Sequence, residues 1–461
     1  MAKIRILTKE QRHQVGKSLR KKCPRPSHGK VILGQSDQRD IVALIEASNE
    51  DRLENLVPIR HGRMLQSAFA YFRGTAAVQA YDLADTPTSG IIVQACGDCH
   101  LMNFGGFATP ERNLVFDIND FDETLPAPFE WDLKRLAASF VIAARWRGFR
   151  PKQGREMAVE VVSSYRESMR KRADAGVLEA WYSRITSKDA MEIVSDPESR
   201  GRLKERLAEG RKQTHEHVFH KLTSPAKGLP RIVNQPPLIY HADKSEVSES
   251  VIEAFLKRYR ETLPEERRIL FDRFKAVDVA IKVVGVGSVG TRCYVALLLA
   301  APDDPLFLQI KEARPSVLET YAGKTTIEHN GQRVVVGQRL MQSASDIFLG
   351  WSKGPAGRDF YVRQLRDMKI APAVETQTPR VMHGYARLCG MALARAHDKA
   401  GDAAMIAGYL GGSDQFDEAI GDYAAAYADH VERDYKTFVK AVRSGRLKTD
   451  MSPSRLATAL I

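Results

Sequence analysis

Acidic and amide side chains are concentrated between residues 97 and 123 of this 461-residue chain. Asp98 is followed by Asn103 five residues later, and Asp120 comes about one hairpin further on. Carboxylate and amide oxygens are the ligands that Mg²⁺ prefers in proteins. A carboxylate close to such a metal can also take the proton from an attacking hydroxyl. We therefore predict that Asp98 is a catalytic base and that Asn103 and Asp120 bind Mg²⁺.

The main metal ligand in the acidic segment has more than one candidate. Asp117 and Asp122 flank Asp120 directly after an apolar strand, so any of the three could be the ligand. So many negative charges in one short segment would repel one another without a cation, which favours a metal site over a plain acidic turn. His100 shares the loop of Asp98, and we include it in the catalytic set, where we expect it to shape the loop rather than to transfer protons.

A glycine-rich motif, G-x-G-x-x-G, occupies Gly285–Gly290 far downstream of the acidic segment. The residues that follow it are β-branched and aromatic, so they predict a strand, whereas a dinucleotide-binding fold would begin a helix there. A strand, a glycine loop and a second strand cover the nucleotide phosphates in protein kinases. We expect Gly285, Gly287, Ser288 and Gly290 to approach phosphate oxygens; a simple tight hairpin is the alternative.

Lys311 ends an apolar strand about 20 residues after the glycine loop, where a lysine fits a clamp on the α- and β-phosphates. An ammonium inside a small sheet needs an anionic partner. Glu319 is the partner that we expect, with Glu312 and Glu328 as rivals. A surface lysine with its ammonium in water is the alternative interpretation.

The elements that position these residues follow from the apolar periodicity. Residues 39–275 are predicted to form a helical unit that carries the catalytic and metal loops, with strands at Ile91–Ala95 and Asn113–Ile118 and an apolar helix over 129–146. Residues 1–38 are predicted to be a flexible basic arm, because Pro24 and Pro26 interrupt any helix.

A change of pattern near Val277 predicts a small antiparallel sheet over residues 276–345. Its strands are expected at Ala280–Val284, Arg292–Ala300, Leu306–Ile310 and Arg333–Met341. Residues 346–461 are expected to return to helix, at Tyr361–Met368, Val381–His397 and a long stretch from Phe416 to about Val442. The chain as a whole is therefore predicted to be an α+β protein.

Composition narrows the class of partner. The net charge of +12 favours anionic partners. Nucleic acid is disfavoured, because no interleaving of aromatic and basic residues is visible. The five cysteines are scattered, which predicts reduced thiols in a cytoplasmic protein. No apolar run approaches the roughly 18 residues of a membrane span, and the N-terminal residues show no secretory signal.

The motifs G-D-x-H-x-x-N, D-[FW]-[DE] and x-D-L-x-R-L, in that order, resemble the catalytic core of the aminoglycoside phosphotransferase and choline kinase group of the protein-kinase-like superfamily. Within that superfamily the sequence closely resembles an uncharacterised bacterial family, the domain of unknown function 2252. The segments that carry the resemblance are Arg60–Arg63, Phe72–Gly74, Gly97–Gly105, Phe116–Glu123, Trp131–Leu136 and Arg333–Met341.

The resemblance implies a two-lobed kinase-like fold whose chain order is circularly permuted, since the catalytic and metal loops precede the glycine loop. It implies an ATP- and Mg²⁺-dependent phosphotransferase that acts on a small hydroxylated substrate, although a protein acceptor stays open. A catalytically silent regulator that binds nucleotide or another anion, and a nucleotidyl transferase, are the alternative functions on the same fold.

Three arginines and one aspartate each allow two interpretations. The arginines at Arg60, Arg63 and Arg73 could hold phosphate or form salt bridges with the acidic loop. Asp132 could be a charge that the start of its helix favours, or it could brace the Asp98 loop through backbone N–H groups.

Overall fold

A computed structural model describes residues 6–32, 39–194, 196–212, 215–224, 229–241, 248–365 and 368–452. The described chain mixes many helices with several antiparallel sheets, which confirms the α+β class. No helix within these ranges combines the length and the apolar character that crossing a membrane requires.

The helices follow one another along the whole described chain. They are α1 (Lys9–Leu19), α2 (Ile41–Ser48), α3 (Val57–Met64), α4 (Ala68–Gly74), α5 (Ala76–Ala84), α6 (Phe129–Trp146), α7 (Pro151–Ala173), α8 (Val177–Tyr182), α9 (Ser187–Ile193), α10 (Pro197–Lys212), α11 (His215–Leu222), α12 (Glu249–Glu261), α13 (Glu265–Phe271), α14 (Glu319–Ala322), α15 (Asn330–Met341), α16 (Pro379–Ala400), α17 (Ala403–Leu410) and α18 (Gln415–Arg443).

The strands fall mainly into two stretches of the sequence. They are β1 (Ile92–Ala95), β2 (Phe104–Ala108), β3 (Leu114–Ile118), β4 (Leu125–Pro128), β5 (Ile185–Thr186), β6 (Thr223–Ser224), β7 (Arg231–Ile232), β8 (Ile239–Tyr240), β9 (Lys275–Lys282), β10 (Cys293–Ala301), β11 (Asp304–Glu312), β12 (Gly350–Lys353) and β13 (Asp359–Gln364).

The largest core is built by the long helices α6, α7, α16 and α18, which pack against one another. Helix α6 is its centre, since Phe129, Leu133, Leu136 and Phe140 are completely buried. The sequence predicted a helix over the residues that α6 occupies, and this prediction is confirmed. An apolar stripe at i, i+4 and i+7 buries one side of a helix.

A two-stranded hairpin of β2 and β3 carries the acidic segment at its ends. Asn103 directly precedes β2, and Asn119 and Asp120 directly follow β3. Strand β1 pairs antiparallel with β4 and leads into Gly97 and Asp98. The predicted strands at Ile91–Ala95 and Asn113–Ile118 are confirmed as β1 and β3.

A six-stranded antiparallel sheet has the order β12-β13-β11-β10-β9-β8. Successive side chains point to opposite faces of the sheet, and both faces are buried. Leu298 and Leu308 pack with α12, while Leu297 and Phe307 belong to a second apolar cluster on the other face. The predicted strands that became β9, β10 and β11 are confirmed. The sheet continues through β12 and β13, however, so it extends past residue 345, where the sequence placed its end.

The segment Arg333–Met341, predicted as a strand, is instead part of helix α15. The nitrogen of the His329 ring accepts the N–H of Gln332 and caps the helix start. Val334, Val335 and Met341 then fall on the buried side. The packing of this face outweighs the strand preference of the β-branched residues. That preference depends on how a side chain packs in its surroundings, so tertiary contacts can override it.

The segment Tyr361–Met368, predicted as a helix, contains most of strand β13. Phe360, Tyr361 and Val362 are buried, and the strand pairs with β11 on one side and β12 on the other. The two ladders therefore satisfy the backbone of this aromatic segment. Residues 366 and 367 of the predicted helix lie outside the described residues.

The N-terminal segment, predicted to be a flexible arm, contains helix α1 packed on α17. Thr8 and Gln11 form a reciprocal capping box that starts the helix. The Arg20 guanidinium donates to the Tyr409 carbonyl oxygen over 2.9 Å. The chain does leave the helix before Pro24, and residues 1–5 and 33–38 of the predicted arm lie outside the described residues.

Candidate functional site

The Asp98 loop has a tightly fixed backbone. Gly97 has a φ of 84°, in the left-handed region that favours glycine, and a Cβ there would collide with the carbonyl group of Glu123. Both carboxylate oxygens of Asp132 accept backbone N–H groups, from Cys96 over 2.8 Å and from Gly97 over 3.0 Å. Of the two interpretations of Asp132, the structure therefore shows the brace on the Asp98 loop.

Asp98 is held by an arginine of α6. The Arg135 Nε donates to Asp98 Oδ1 over 2.6 Å, and the Arg135 side chain is almost completely buried. The side chain of Asp98 keeps 21% of its surface exposed. Arg135 therefore orients the carboxylate while part of it stays accessible to solvent. A charge-assisted contact of this kind fixes the position of a carboxylate.

His100 lies behind Asp98 and is buried. Its Nε2 stands 3.7 Å from an Asp98 oxygen, which is too long for a hydrogen bond. Burial lowers the pKa of His100 to about 3, although the Asp98 charge opposes this shift. The imidazole is therefore neutral at pH 7, which agrees with a role in shaping the loop.

Asn103 joins the Asp98 loop to the acidic segment. Its side-chain Nδ2 donates to the backbone carbonyl oxygen of Asp98 over 2.8 Å. The backbone carbonyl oxygen of Asn103 accepts the N–H of Asn119 over 2.8 Å. Since the amide nitrogen is used in the loop, the amide oxygen is the atom that this side chain can offer to a metal.

Asp117 is the predicted metal candidate that the structure places in the interior. It is completely buried, and it accepts Arg395 Nη2 over 2.5 Å and the N–H of Ser343 over 2.8 Å. These contacts tie β3 to α16 and to the end of α15. Both carboxylate oxygens of Asp117 thus have protein donors, and Asp117 does not line the cleft that Asp120 lines.

The buried pair between Asp117 and Arg395 should be important for stability. We expect Arg395→Met to lower the free energy of unfolding by about 3–5 kcal/mol, because it leaves an uncompensated buried carboxylate. Arg155→Met, which breaks solvent-accessible pairs with Glu418 and Asp422, is the matched control and should cost less than about 1 kcal/mol. Urea denaturation measures both, and equal losses would contradict this account of Asp117.

Asp122 is the partner of Lys311. The Lys311 ammonium donates to Asp122 Oδ2, and the Tyr361 hydroxyl donates to Oδ1 over 2.7 Å. Lys311 is buried, and burial alone would lower its pKa, but Asp120 and Asp122 raise the pKa well above its usual value. The lysine is thus a fixed positive charge within reach of two carboxylates.

Glu319, the partner expected for Lys311, lies elsewhere. Its carboxylate accepts the backbone N–H of Ser316 over 3.3 Å at the start of α14. The rival Glu312 is held by Arg292 and Arg358. The acidic segment therefore supplies the counter-charge that the sequence assigned to a downstream glutamate.

The glycine loop connects β9 to β10, which confirms the strand on either side of it. The Ser288 hydroxyl lies 3.5 Å from Asp122 Oδ2, so this loop faces the acidic segment. A Cβ on Gly287 would lie 3.2 Å from the carbonyl oxygen of Arg73. The loop therefore bridges the acidic segment and the C-terminal end of α4.

Two arginines near the glycine loop, Arg60 and Arg63, donate to backbone carbonyl oxygens. Arg63 Nη1 donates to Gly285 over 2.5 Å, and Arg60 Nη2 donates to Gly74 over 2.7 Å. Both guanidinium groups therefore support the backbone around the cleft.

A cleft of about 480 Å³ opens between the six-stranded sheet and the β2–β3 hairpin. Its lining includes Gly285, Ser288, Lys311, Asn119 and Asp120. Asp120 is the acidic residue among the three candidates that lines this cleft. The structure thus joins the glycine loop, the lysine and the metal candidate in one cavity, although they come from distant parts of the sequence.

The charge of the cleft favours an anionic ligand. Five cationic and two acidic side chains line it, namely Arg112, Lys282, Lys311, Arg363 and Lys369 against Asp120 and Asp346. The amide oxygen of Gln338, on α15, is buried here and has no hydrogen-bond partner among the described residues. A ligand N–H would satisfy this oxygen.

Several site residues were not predicted from the sequence. Arg363 reaches the cleft from β13, a segment that the sequence assigned to a helix, and Tyr361 of the same strand donates to Asp122. Arg135 appeared only as part of a motif, and its spacing from Asp132, which puts both on one side of α6, was the available signal.

The thiols of Cys96 and Cys99 lie with an Asp132 oxygen within 4.8 Å of one another. Burial raises the pKa of Cys99 to about 11, so its thiol stays protonated. Both oxygens of Asp132 are occupied by backbone N–H groups. Three candidate ligands, one of them a carboxylate already occupied by backbone N–H groups, are fewer than the four of a structural zinc site, so the arrangement suits a packed loop better.

Comparison with known proteins gives one result at the level of the family. The family model described as uncharacterised protein conserved in bacteria (domain of unknown function 2252) matches residues 52–441. No curated protein and no solved structure matches the chain. The match covers most of the chain and includes both the acidic segment and the glycine loop. The chain therefore belongs to this bacterial family.

Proposed function

We propose that the protein is an ATP- and Mg²⁺-dependent phosphotransferase that acts on a small hydroxylated substrate. The observation that carries this proposal is the meeting of the glycine loop, Lys311 and Asp120 in one cleft. The backbone N–H groups of the glycine loop would bind phosphate oxygens, and Lys311 would bind the α- and β-phosphates. Asp120 would bind the metal.

The order of the sheet also supports a kinase-like arrangement. Strands β9, β10 and β11 are neighbours, the glycine loop joins the first two, and Lys311 lies on the third. Protein kinases carry their phosphate-binding lysine on the third strand as well. Because the Asp98 and Asp120 loops come earlier in this chain, we propose that the fold is a circular permutation of the two-lobed kinase fold.

The donor set fits Mg²⁺. Asp120 lines the cleft, and the amide oxygen of Asn103 is available beside the Asp98 loop. Hard oxygen ligands of this kind, completed by water and phosphate, suit Mg²⁺. When bound, the metal would neutralise charge on the phosphates.

The chain's own residues would perform the remaining steps. Asp98 would accept the proton of the acceptor hydroxyl, and Arg135 would keep its carboxylate in place. Lys311 donates to Asp122, which also accepts the Tyr361 hydroxyl. Held in this way, Lys311 would orient the phosphates without moving during the reaction. Transfer would then depend on positioning and on charge neutralisation.

Calorimetric titration with ATP, with and without Mg²⁺, tests the proposal. We expect saturable binding that needs Mg²⁺, and at least tenfold weaker binding by Gly287→Val, because its side chain would block the approach of phosphate to the loop. Gly176→Val is the matched control, since a Cβ at Gly176 meets no neighbour. If the unmodified protein binds no nucleotide, the proposal fails.

The reaction products separate the three functions on this fold. ADP and a phosphorylated acceptor or phosphate support phosphoryl transfer, whereas AMP or diphosphate would indicate nucleotidyl transfer. Mg²⁺-dependent binding without any product would indicate a silent regulator. Mass spectrometry of the nucleotide products identifies which outcome holds.

A further inference from the structure

We propose that a second cavity, of about 560 Å³, binds a small uncharged molecule with an apolar body and one hydrogen-bond donor. The cavity lies between the β2–β3 hairpin, helices α9, α10 and α16, and residues 370–377. Lys311, Ser288 and Asp120 do not line it. The inference is therefore independent of the proposed phosphotransferase activity.

The walls of the cavity are mainly apolar. Its aliphatic and aromatic lining residues include Phe116, Ala190, Val194, Leu203, Ile370 and Leu388. The volume lies within the range of about 300–1,000 Å³ that is usual for small-molecule sites. Such walls favour a ligand whose surface is mostly hydrocarbon.

One polar atom in the lining lacks a partner. The side-chain oxygen of Gln377 is buried and has no hydrogen-bond partner in the part of the chain that the structure describes. Gln377 is 8% exposed, so water has little access to it. The Gln377 oxygen can only accept, and a buried acceptor without a donor is costly. A hydroxyl or amide N–H on the ligand would satisfy it.

The charges at the cavity argue for an uncharged ligand. Arg202 pairs with Glu198 over 3.3 Å, and Arg206 pairs with Glu209 over 3.1 Å. Arg202 also donates to the carbonyl oxygen of Thr376 over 2.5 Å. Both guanidinium groups thus have partners. Glu205 and Glu209 also line the cavity, so the two cationic and the two acidic side chains of its described lining balance and favour neither an anionic nor a cationic head group.

The cavity borders the hairpin that carries the metal candidates. Gly106 and Ile370 exchange two backbone hydrogen bonds, of 2.9 and 2.7 Å, and Ile370 lines the cavity. The same hairpin leads from Asn103 to Asp120. A ligand here would therefore contact the element that positions both of these residues.

Titration with 1-octanol and with its methyl ether tests the site. We expect one saturable site, with the alcohol bound about tenfold more tightly, because the ether cannot donate to Gln377 and one neutral hydrogen bond accounts for a factor of this size. Gln377→Leu should remove the preference while both probes still bind. Equal affinities in the unmodified protein, or a preference that survives Gln377→Leu, would overturn the assignment.

A second variant tests the cavity itself. Ala190→Trp should fill the space and abolish binding of both probes, whereas Val177→Trp, at a residue 81% exposed on α8, should change neither affinity. Binding that survives Ala190→Trp would place the probes elsewhere and overturn the proposal. If this variant does not fold, the comparison of the two probes on Gln377→Leu decides alone.

Discussion

Asp98→Asn is expected to lower the turnover of MgATP by about 10²–10⁴-fold while the affinity for MgATP stays within about twofold. An asparagine amide cannot accept a proton, but its oxygen can still accept the hydrogen bond from Arg135, so the loop should keep its geometry. Affinity should be spared, because Asp98 does not line the 480 Å³ cleft. Hydrolysis with water as the acceptor gives turnover, and calorimetry gives the affinity.

Asp85→Asn is the matched control for this experiment, because Asp85 is exposed at the end of α5. It should change neither quantity. Full turnover by Asp98→Asn would remove the catalytic assignment even if MgATP binds. A parallel loss of binding would instead show that the carboxylate contacts the nucleotide.

Much of the local structure around the site could be predicted from the sequence. Strands β1 and β3, helix α6 and the strands on either side of the glycine loop each carry their own apolar period. Their loops carry residues with specific backbone demands, such as Gly97. Information of this kind lies within a few residues of where it acts, so a single sequence contains it.

Other elements depended on distant neighbours. The three valines of α15 favour a strand locally, and the packing of the helix against α16, β12 and β13 decides otherwise. Lys311 meets Asp122, 189 residues earlier in the chain, rather than a nearby glutamate. No local pattern encodes a pair at that separation.

The choice among Asp117, Asp120 and Asp122 also needed the fold. All three are aspartates within six residues of the sequence. Asp117, however, pairs with Arg395 in the interior, and Asp122 pairs with Lys311. Asp120 is left to line the cleft. Their different surroundings follow from the cations that the distant helix α16 and strand β11 bring to them.

Arg73 lies where the glycine loop and the Asp98 loop meet. The carbonyl oxygen of Arg73 faces Gly287, and Arg135, which holds Asp98, also donates to Phe72 over 3.1 Å. The Nε of Arg73 is buried without a hydrogen-bond partner among the described residues. Burial lowers the pKa of Arg73, while Asp98 opposes the shift. In the proposed reaction, a guanidinium here would meet charge on the transferred phosphoryl group.

Arg73→Ala is therefore expected to lower kcat for ATP hydrolysis by about 10²–10³-fold, with KM for ATP changed only a few-fold. The small change in KM follows if the arginine acts on charge that develops in the transition state rather than on bound ATP. MgADP with aluminium fluoride, which imitates that state, should bind the unmodified protein more tightly than MgADP alone. Arg73→Ala should lose this increment and keep its affinity for MgADP.

Arg73→Lys separates a specific role from a structural one, because a lysine keeps the charge but not the planar fork of donors. It should recover part of kcat and part of the aluminium fluoride increment. A rise in KM for ATP with unchanged kcat would instead make Arg73 a ground-state phosphate ligand. Unchanged kinetics in Arg73→Ala, in a protein that binds and hydrolyses MgATP, would remove the arginine from the reaction and leave the phosphotransferase proposal intact.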